Sequence, residues 1–377
     1  VASGTLVRSF GTAVLAAVVV VSPATAVAAP APPPAPGDAA GLLSELQRLY
    51  QQAEEATESY NGTAAELKKR AARAKKLDAA LVTARRSLAD GRDAAGRLAR
   101  EQYQGRSELS AYLRLLLMRD PEAALTQGQV IQRLAAGRAA AVRRLGAAEK
   151  RADELARESR KVLAEQRTLT ARKKKERDTV RTRLKQVEAM LARLSPDQLA
   201  DVNGLQRANT DRAQSALAGA LSSSRPPTAQ GGAAVRYAVR QIGKPYVWGA
   251  EGPDAFDCSG LTSRAWASAG RVIPRTSQEQ WRQLTRVPMN ALRPGDLVVY
   301  FPKATHVALY LGNGLVVQAP RPGSRVKVSP VASNPVLGAV RPDPAGTPLA
   351  SYQGPELPKG ATDGSDEGYG SAAAPAS

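Results

Sequence analysis

Between residues 39 and 88 apolar and small side chains return at a nearly fixed interval: Leu42, Leu46, Leu49, Ala53, Ala56, Tyr60, Ala64, Leu67, Ala71, Ala74, Leu77, Leu81, Ala84 and Leu88. The thirteen steps from 42 to 88 average about 3.5 residues, the period of helices wound on a common seam. Leu145, Ala148, Ala152, Leu155, Val162, Leu169, Val180, Leu184, Val187, Leu191 and Leu194 repeat that spacing with polar interruptions. The pattern predicts an all-α coiled-coil hairpin over residues 39–221. Between the two series the chain is richer in Leu, and Asp120-Pro121 interrupts any continuous helix, because Pro suits a first turn and resists an interior. A helical tip near 105–136 is expected, with more apolar surface than a two-helix seam needs, making it a candidate partner-binding patch.

From residue 233 the pattern changes. A helical stretch, AAVRYAVRQIG, leads through a loop to a second helical stretch after Cys258, then to short apolar runs: GDLVVYF, HVALYLG, GLVVQAP and RVKVSPV. Runs of four to eight residues between Gly and Pro are strands. Residues 233–345 therefore read as an α+β module, helices first and an antiparallel sheet after them. SSSRPPTAQGG at 222–232 is a linker by composition, and residues 346–377, rich in Gly, Ala, Ser and Pro, are expected to be disordered.

The start of the chain has its own pattern. Arg8, an apolar run from Thr12 to Val21 and the small-residue stretch ATAVAAPAP make a secretory signal peptide, assigned to 1–28, with a Pro-rich linker at 29–38. The run is shorter than the ~20 apolar residues that span a bilayer, so no stable transmembrane anchor is expected.

Charge narrows the partners. The chain of 377 residues carries +19, and the arm 39–221 alone has 36 Lys/Arg against 23 Asp/Glu. An anionic partner follows. No groove-reading motif or base-stacking aromatics accompany the charge, and an exported chain does not meet nucleic acid, so the anionic cell envelope is the expected surface. With one Cys and one His, an intramolecular disulfide and a four-ligand Cys/His zinc site are both excluded. Thiol chemistry requires no metal or cofactor.

Both singular residues fall in the module. Cys258 stands where the loop GPDAFD gives way to a helical pattern, and a thiol at a helix N-terminus faces unpaired N–H groups that favour the thiolate. His306 opens the strand HVALYLG. If residue 308 faces 318 across the turn at Asn313, His306 and Gln318 become diagonal neighbours on one sheet face, and Gln318 can orient the imidazole. An isolated structural Cys and a hydrogen-bonded structural His are the plainer readings. The Cys context and a polar partner in an otherwise apolar strand argue for chemistry.

GKPYVWGA at 243–250, DCSGL at 257–261, IPRTSQEQW at 273–281, RPGDLVVY at 293–300, HVALYLGNG at 306–314 and VVQAP at 316–320 together resemble the NlpC/p60 cysteine peptidases of bacterial cell walls. The resemblance implies a papain-like module in which Cys258 attacks, His306 acts as base and acid, and Gln318 takes the third polar position, often a His in the family. It further implies Tyr246 near the oxyanion, with Asp257, Ser259 and Arg275 along the substrate groove. The implied reaction is endopeptidase cleavage of a peptidoglycan stem peptide, commonly between D-glutamate and the diamino acid after it. The arm resembles those of division-associated wall hydrolases controlled by an FtsEX-type membrane complex, which makes such a complex a candidate partner. Two other functions use the same residues differently: a non-catalytic envelope scaffold with a degenerate module, and a thiol amidase or acyltransferase. An arm that covers the Cys258 cleft is a further expectation.

Overall fold

The computed structural model describes residues 38–103, 117, 121–221 and 225–363. The expected signal peptide, nearly all of the Pro-rich linker, much of the expected tip and the end of the tail lie outside the described residues. Among the described residues no helix is long and apolar enough to cross a membrane.

Two long helices, α1 (Ala39–Tyr103) and α2 (Pro121–Leu191), run antiparallel. Their register is visible in cross-helix pairs, Ser59 with Glu176, Asp78 with Ser159 and Arg92 with Glu149. Leu81 and Ala84 of one helix pack with Ala152 and Leu155 of the other. Pro121 opens α2, and the described part of the expected tip, 121–136, is the uninterrupted beginning of that helix and not a separate cap.

The hairpin gains a third helix that the periodicity did not separate. At Ser195 the hydroxyl accepts the Gln198 N–H while the Gln198 side chain accepts the Ser195 N–H, at 3.2 and 3.0 Å. That reciprocal cap, with Pro196 in the first turn, starts α3 (Pro196–Leu221). Helix α3 folds back so that Val202 packs on Leu43 and Leu46 of α1, and Gln47 donates to Gln206.

The module contributes α4 (Ala229–Val239), α5 (Cys258–Ser268) and α6 (Ser277–Gln283). These precede or flank β1 (Thr285–Val287), β2 (Leu297–Tyr300), β3 (His306–Gly312), β4 (Leu315–Gln318), β5 (Lys327–Pro330) and β6 (Val336–Arg341). They form one antiparallel sheet in the order β1-β6-β2-β3-β4-β5. The strand interiors are apolar on both faces because both are covered. Val307, Leu309 and Val317 join Ala234, Ala238, Leu261 and Trp266 under α4 and α5, while Ala308, Tyr310 and Val316 meet Leu221 of α3. Helix α3 is also pinned by Gln214, which donates to the Gly314 carbonyl at 2.9 Å and accepts the Ala332 N–H at 3.0 Å.

Residues 346–363, expected to begin a disordered tail, run along the module instead. Leu349 N–H donates to the Pro227 carbonyl, and Val328 N–H to that of buried Ala361. Backbone pairing and one buried small side chain hold a segment whose composition alone carries no packing signal.

Candidate functional site

The site is assembled at the head of α5 and at the ends of β3 and β4 that lie together. Asp257 caps α5 in an extended conformation, its Oδ1 accepting the Gly260 N–H at 2.6 Å. The same carboxylate accepts the Gly249 N–H and receives Arg275 in a fork, Nη1 to Oδ1 at 3.1 Å and Nη2 to Oδ2 at 2.6 Å. Arg275 also donates to Ser259 Oγ at 2.8 Å. Gly260 is required by crowding, since a Cβ there would lie 2.2 Å from the Ala250 carbonyl oxygen. The sequence DCSG thus sets Cys258 between a capping carboxylate and a backbone that has no room for a side chain two positions on.

Helix α5 packs against β3, which carries His306. The turn Gly312-Asn313-Gly314 has positive φ throughout, 113°, 52° and 72°, the left-handed conformation that Gly and Asn tolerate. It returns β4 in a register pairing Leu309 with Val317, so His306 and Gln318 are brought together. His306 Nε2 and Gln318 Oε1 are 2.7 Å apart. Gln318 Nε2 donates to Ser329 Oγ at 2.8 Å, which fixes the amide with its oxygen toward the ring. Nε2 therefore carries the proton in that bond, and Nδ1 is the nitrogen left to exchange a proton with a thiol.

Two groups of residues result, one around Cys258 with Asp257, Ser259 and Arg275, the other His306 with Gln318. Tyr246 is buried in the same core cluster as Cys258. Among the described residues no hydrogen bond joins the thiol to the ring. Helix α1 reaches both groups. Glu58 Oε1 accepts from Ser259 Oγ at 2.8 Å, and its Oε2 accepts the N–H and hydroxyl of Ser277 at 2.6 and 3.0 Å. Asn61 donates to Asp257 Oδ2 at 3.0 Å, and one turn before Glu58 the carboxylate of Glu54 lies 3.3 Å from His306 Nδ1. Tyr60 meets Trp248 edge to face, with centroids 4.8 Å apart.

This neighbourhood reverses one expectation. The Cys258 thiol is pushed well above its ordinary range, first by burial and then by the Glu58, Asp257 and Glu54 charges, so the helix N-terminus does not prevail. Glu58 itself is raised to about 7 by burial and by Asp257, against the opposing pull of Arg275. Burial disfavours the charged His306 ring most strongly, yet the neighbouring Glu54 carboxylate and the bond to Gln318 outweigh it and raise its pKa. Tyr246 is raised by burial and by the nearby Cys258 and carboxylates.

Glu58, Asp257 and Cys258 come close enough to share a cation. Arg275 already presents two N–H groups to Asp257, so the positive charge of this cluster comes from a guanidinium.

Sequence reasoning missed Glu54, Glu58, Asn61, Ser277 and Trp248. A signal existed for the first two. In an arm rich in Lys and Arg, residues 39–66 hold Glu45, Glu54, Glu55, Glu58 and Glu66 with Arg48 as the single basic residue.

A thiol at the head of a helix and an imidazole on the strand that this helix packs against, in an antiparallel sheet, is the layout of a papain-like cysteine peptidase module. Residues 243–339 match the NlpC/P60 family, and the module belongs to that family of cysteine peptidases. The chain is 48% identical over 108 residues to a Corynebacterium glutamicum protein named "Probable endopeptidase", covering 28% of this chain and 52% of that one. It is 40% identical over 126 residues to the peptidoglycan endopeptidase RipA of Mycolicibacterium smegmatis, covering 29% and 25%. The solved NlpC/p60 domain of the peptidoglycan hydrolase SagA is 37% identical, with 29% of this chain and 97% of that one covered and a TM-score of 0.28. The chain thus spans about half the length of the corynebacterial relative and a quarter of the mycobacterial one.

Proposed function

We propose that the protein is an exported peptidoglycan endopeptidase that hydrolyses a stem-peptide bond, D-glutamyl to diamino acid, with Cys258 as nucleophile. The observation that carries this reading is the His306–Gln318 pair, whose bond through Nε2 leaves Nδ1 free for a thiol borne on the adjoining helix. Relatives named as endopeptidases, one of them of peptidoglycan, support the substrate class.

The reaction needs the cleft free of α1. With Glu54 withdrawn, Nδ1 of His306 takes the Cys258 proton and the thiolate adds to the carbonyl carbon of the scissile amide. The tetrahedral intermediate collapses as the C–N bond breaks, His306 giving its proton to the leaving amine. Water, deprotonated by the same ring, then cleaves the thioester and restores the thiol. Gln318 keeps the ring in one orientation through both transfers, held in turn by Ser329. In this reading Asp257, Ser259 and Arg275 line the approach to the thiol, and Tyr246, buried in the same cluster as Cys258, serves the oxyanion.

Export is supported by the signal-like first 28 residues and by the wall-directed relatives. An FtsEX-type membrane complex acting through the arm is supported by the arm's length and by exposed Leu125, Leu134 and Val142 near the start of α2.

Cys258→Ala in the full chain is expected to abolish cleavage of purified muropeptides, and mass spectra of wild-type digests should show shortened stem peptides on intact glycan. Glycan released free of peptide would identify an amidase and remove the endopeptidase reading.

A further inference from the structure

We propose that Ser329 and Ser333 are positioning residues that decide which nitrogen of His306 carries the proton, by holding the Gln318 amide in one of its two orientations. The inference rests on the proposed thiol chemistry and names what lets a glutamine serve at the third position.

An amide can face a partner with either end, one an acceptor and the other a donor. With its oxygen toward Nε2, Gln318 accepts a proton borne there and leaves Nδ1 a lone pair for the thiol proton. Turned over, it would donate to Nε2, move the ring proton to Nδ1 and remove the base from the reaction. The two ends are nearly equal in size, so the choice falls to whatever meets the far end. Strands β4 and β5 pair Gln318 with Lys327, which puts Ser329, two residues on, on the same face. The short turn Val331–Ser333 after β5 brings Ser333 to the same nitrogen. Gln318 Nε2 donates to Ser329 Oγ at 2.8 Å and to Ser333 Oγ at 3.4 Å, so two N–H groups meet two hydroxyl oxygens. A flip would require both hydroxyls to reverse from accepting to donating at once.

The other neighbours of the ring do not make this choice. The Tyr300 ring lies tilted beside the imidazole, with centroids 5.6 Å apart, and Glu54 lies 3.3 Å from Nδ1. A carboxylate there favours a proton on Nδ1, the opposite of what the thiol needs, and the reaction proceeds only once it has withdrawn. The serines belong to the module and stay. Gln318, Ser329 and Ser333 are all buried. Buried hydroxyls need partners, and both of these find one in the side chain that touches the ring. The turn that carries Ser333 is held in its own right, because Val331 N–H donates to the Gly314 carbonyl at 2.9 Å and Ala332 N–H to Gln214 of α3 at 3.0 Å. Helix α3 thus braces, from the back of the sheet, the group that orients the base.

His306 is the sole histidine of the chain, so isotopic nitrogen labelling of histidine reads this ring alone. The test uses the full-length chain carrying Glu54→Ala, which leaves Nδ1 without its carboxylate, at a pH where the ring is neutral. Long-range proton–nitrogen correlation is expected to show the proton on Nε2. With far-UV circular dichroism unchanged, adding S329A/S333A should lower the ratio of Nε2–H to Nδ1–H about tenfold or more, and S329A alone about threefold. The kcat on muropeptides should fall with that ratio while KM stays within about twofold. The control is Gln318→Glu, whose two oxygens both accept, so in that background the serine changes should leave the ratio within about twofold. An unchanged ratio in S329A/S333A, or an equal fall in the Gln318→Glu chain, would overturn the positioning role. A lowered ratio with no cleavage by any form would keep that role and remove the endopeptidase reading, whereas an unchanged ratio with undiminished cleavage would do the reverse.

Discussion

Helix α1 is built to two different specifications along its length. Beyond residue 66 its polar contacts with α2 are mostly ion pairs open to solvent, such as Arg73–Glu158 and Arg92–Glu149. Pairs of that kind contribute roughly 0–1 kcal/mol each, less when salt screens them. From Glu54 to Thr63 the same helix buries Thr57, Glu58, Asn61 and Thr63 to 3% exposure or less. Buried polar groups cost stability unless partnered, and here the charged and amide partners lie on α5, on α6 and beside them. The comparison teaches that one stretch of the arm is specified by the cleft and the rest by its companion helix.

Three changes test that division. Trp266→Ala should have the largest effect, because this ring is fully buried and its indole N–H donates to the Gly295 carbonyl at 3.1 Å. A loss of about 3–5 kcal/mol is expected in chemical denaturation, read by the remaining module tryptophans while helical signal from the arm persists. Simultaneous loss of both signals at one midpoint would show that arm and module unfold as one unit.

Next is pH. In the closed state Glu58 is raised from 4.5 to about 7, and His306 and Cys258 are raised as well. All three hold protons more tightly when closed than when open. The part of closure owed to Glu58 is fully present below its ordinary value and lost as pH rises through about 7. His306 acts in the same direction, its share fading as pH passes its raised value. The alkylation rate of Cys258 by iodoacetamide in the folded chain, divided by that in the urea-unfolded chain at the same pH, should therefore rise at least about fivefold between about pH 5.5 and 7.5. A flat ratio would separate closure of the site from these titrations. Arg73→Ala marks the small end, with no resolvable change in the denaturation midpoint and none in alkylation rate.

Much of the module was legible because its signals are local. The helix start at Cys258, the Gly-Asn-Gly turn and the short apolar strands between Gly and Pro each act over a few residues, and together they place His306 beside Gln318. Strand β6 was less visible because Pro335 and Gly338 interrupt its apolar run. The third arm helix was hidden by a seam period that continues up to Leu194, two residues before Pro196 starts it. Glu54 and Glu58 were hidden for a different reason. Their partners lie about 200 to 250 residues further along the chain, and a helical glutamate reads as a solvated face until something packs over it.

The burial of Cys258 has a consequence outside substrate turnover. The thiolate that would attack a peptide also attacks peroxides and disulfides, so a protonated, covered sulfur is slow toward all of them. With no second cysteine to form a reversible disulfide within the chain, an oxidised Cys258 would have no internal route back. The cover that α1 lays over the site is therefore also chemical shelter for the one thiol of the sequence.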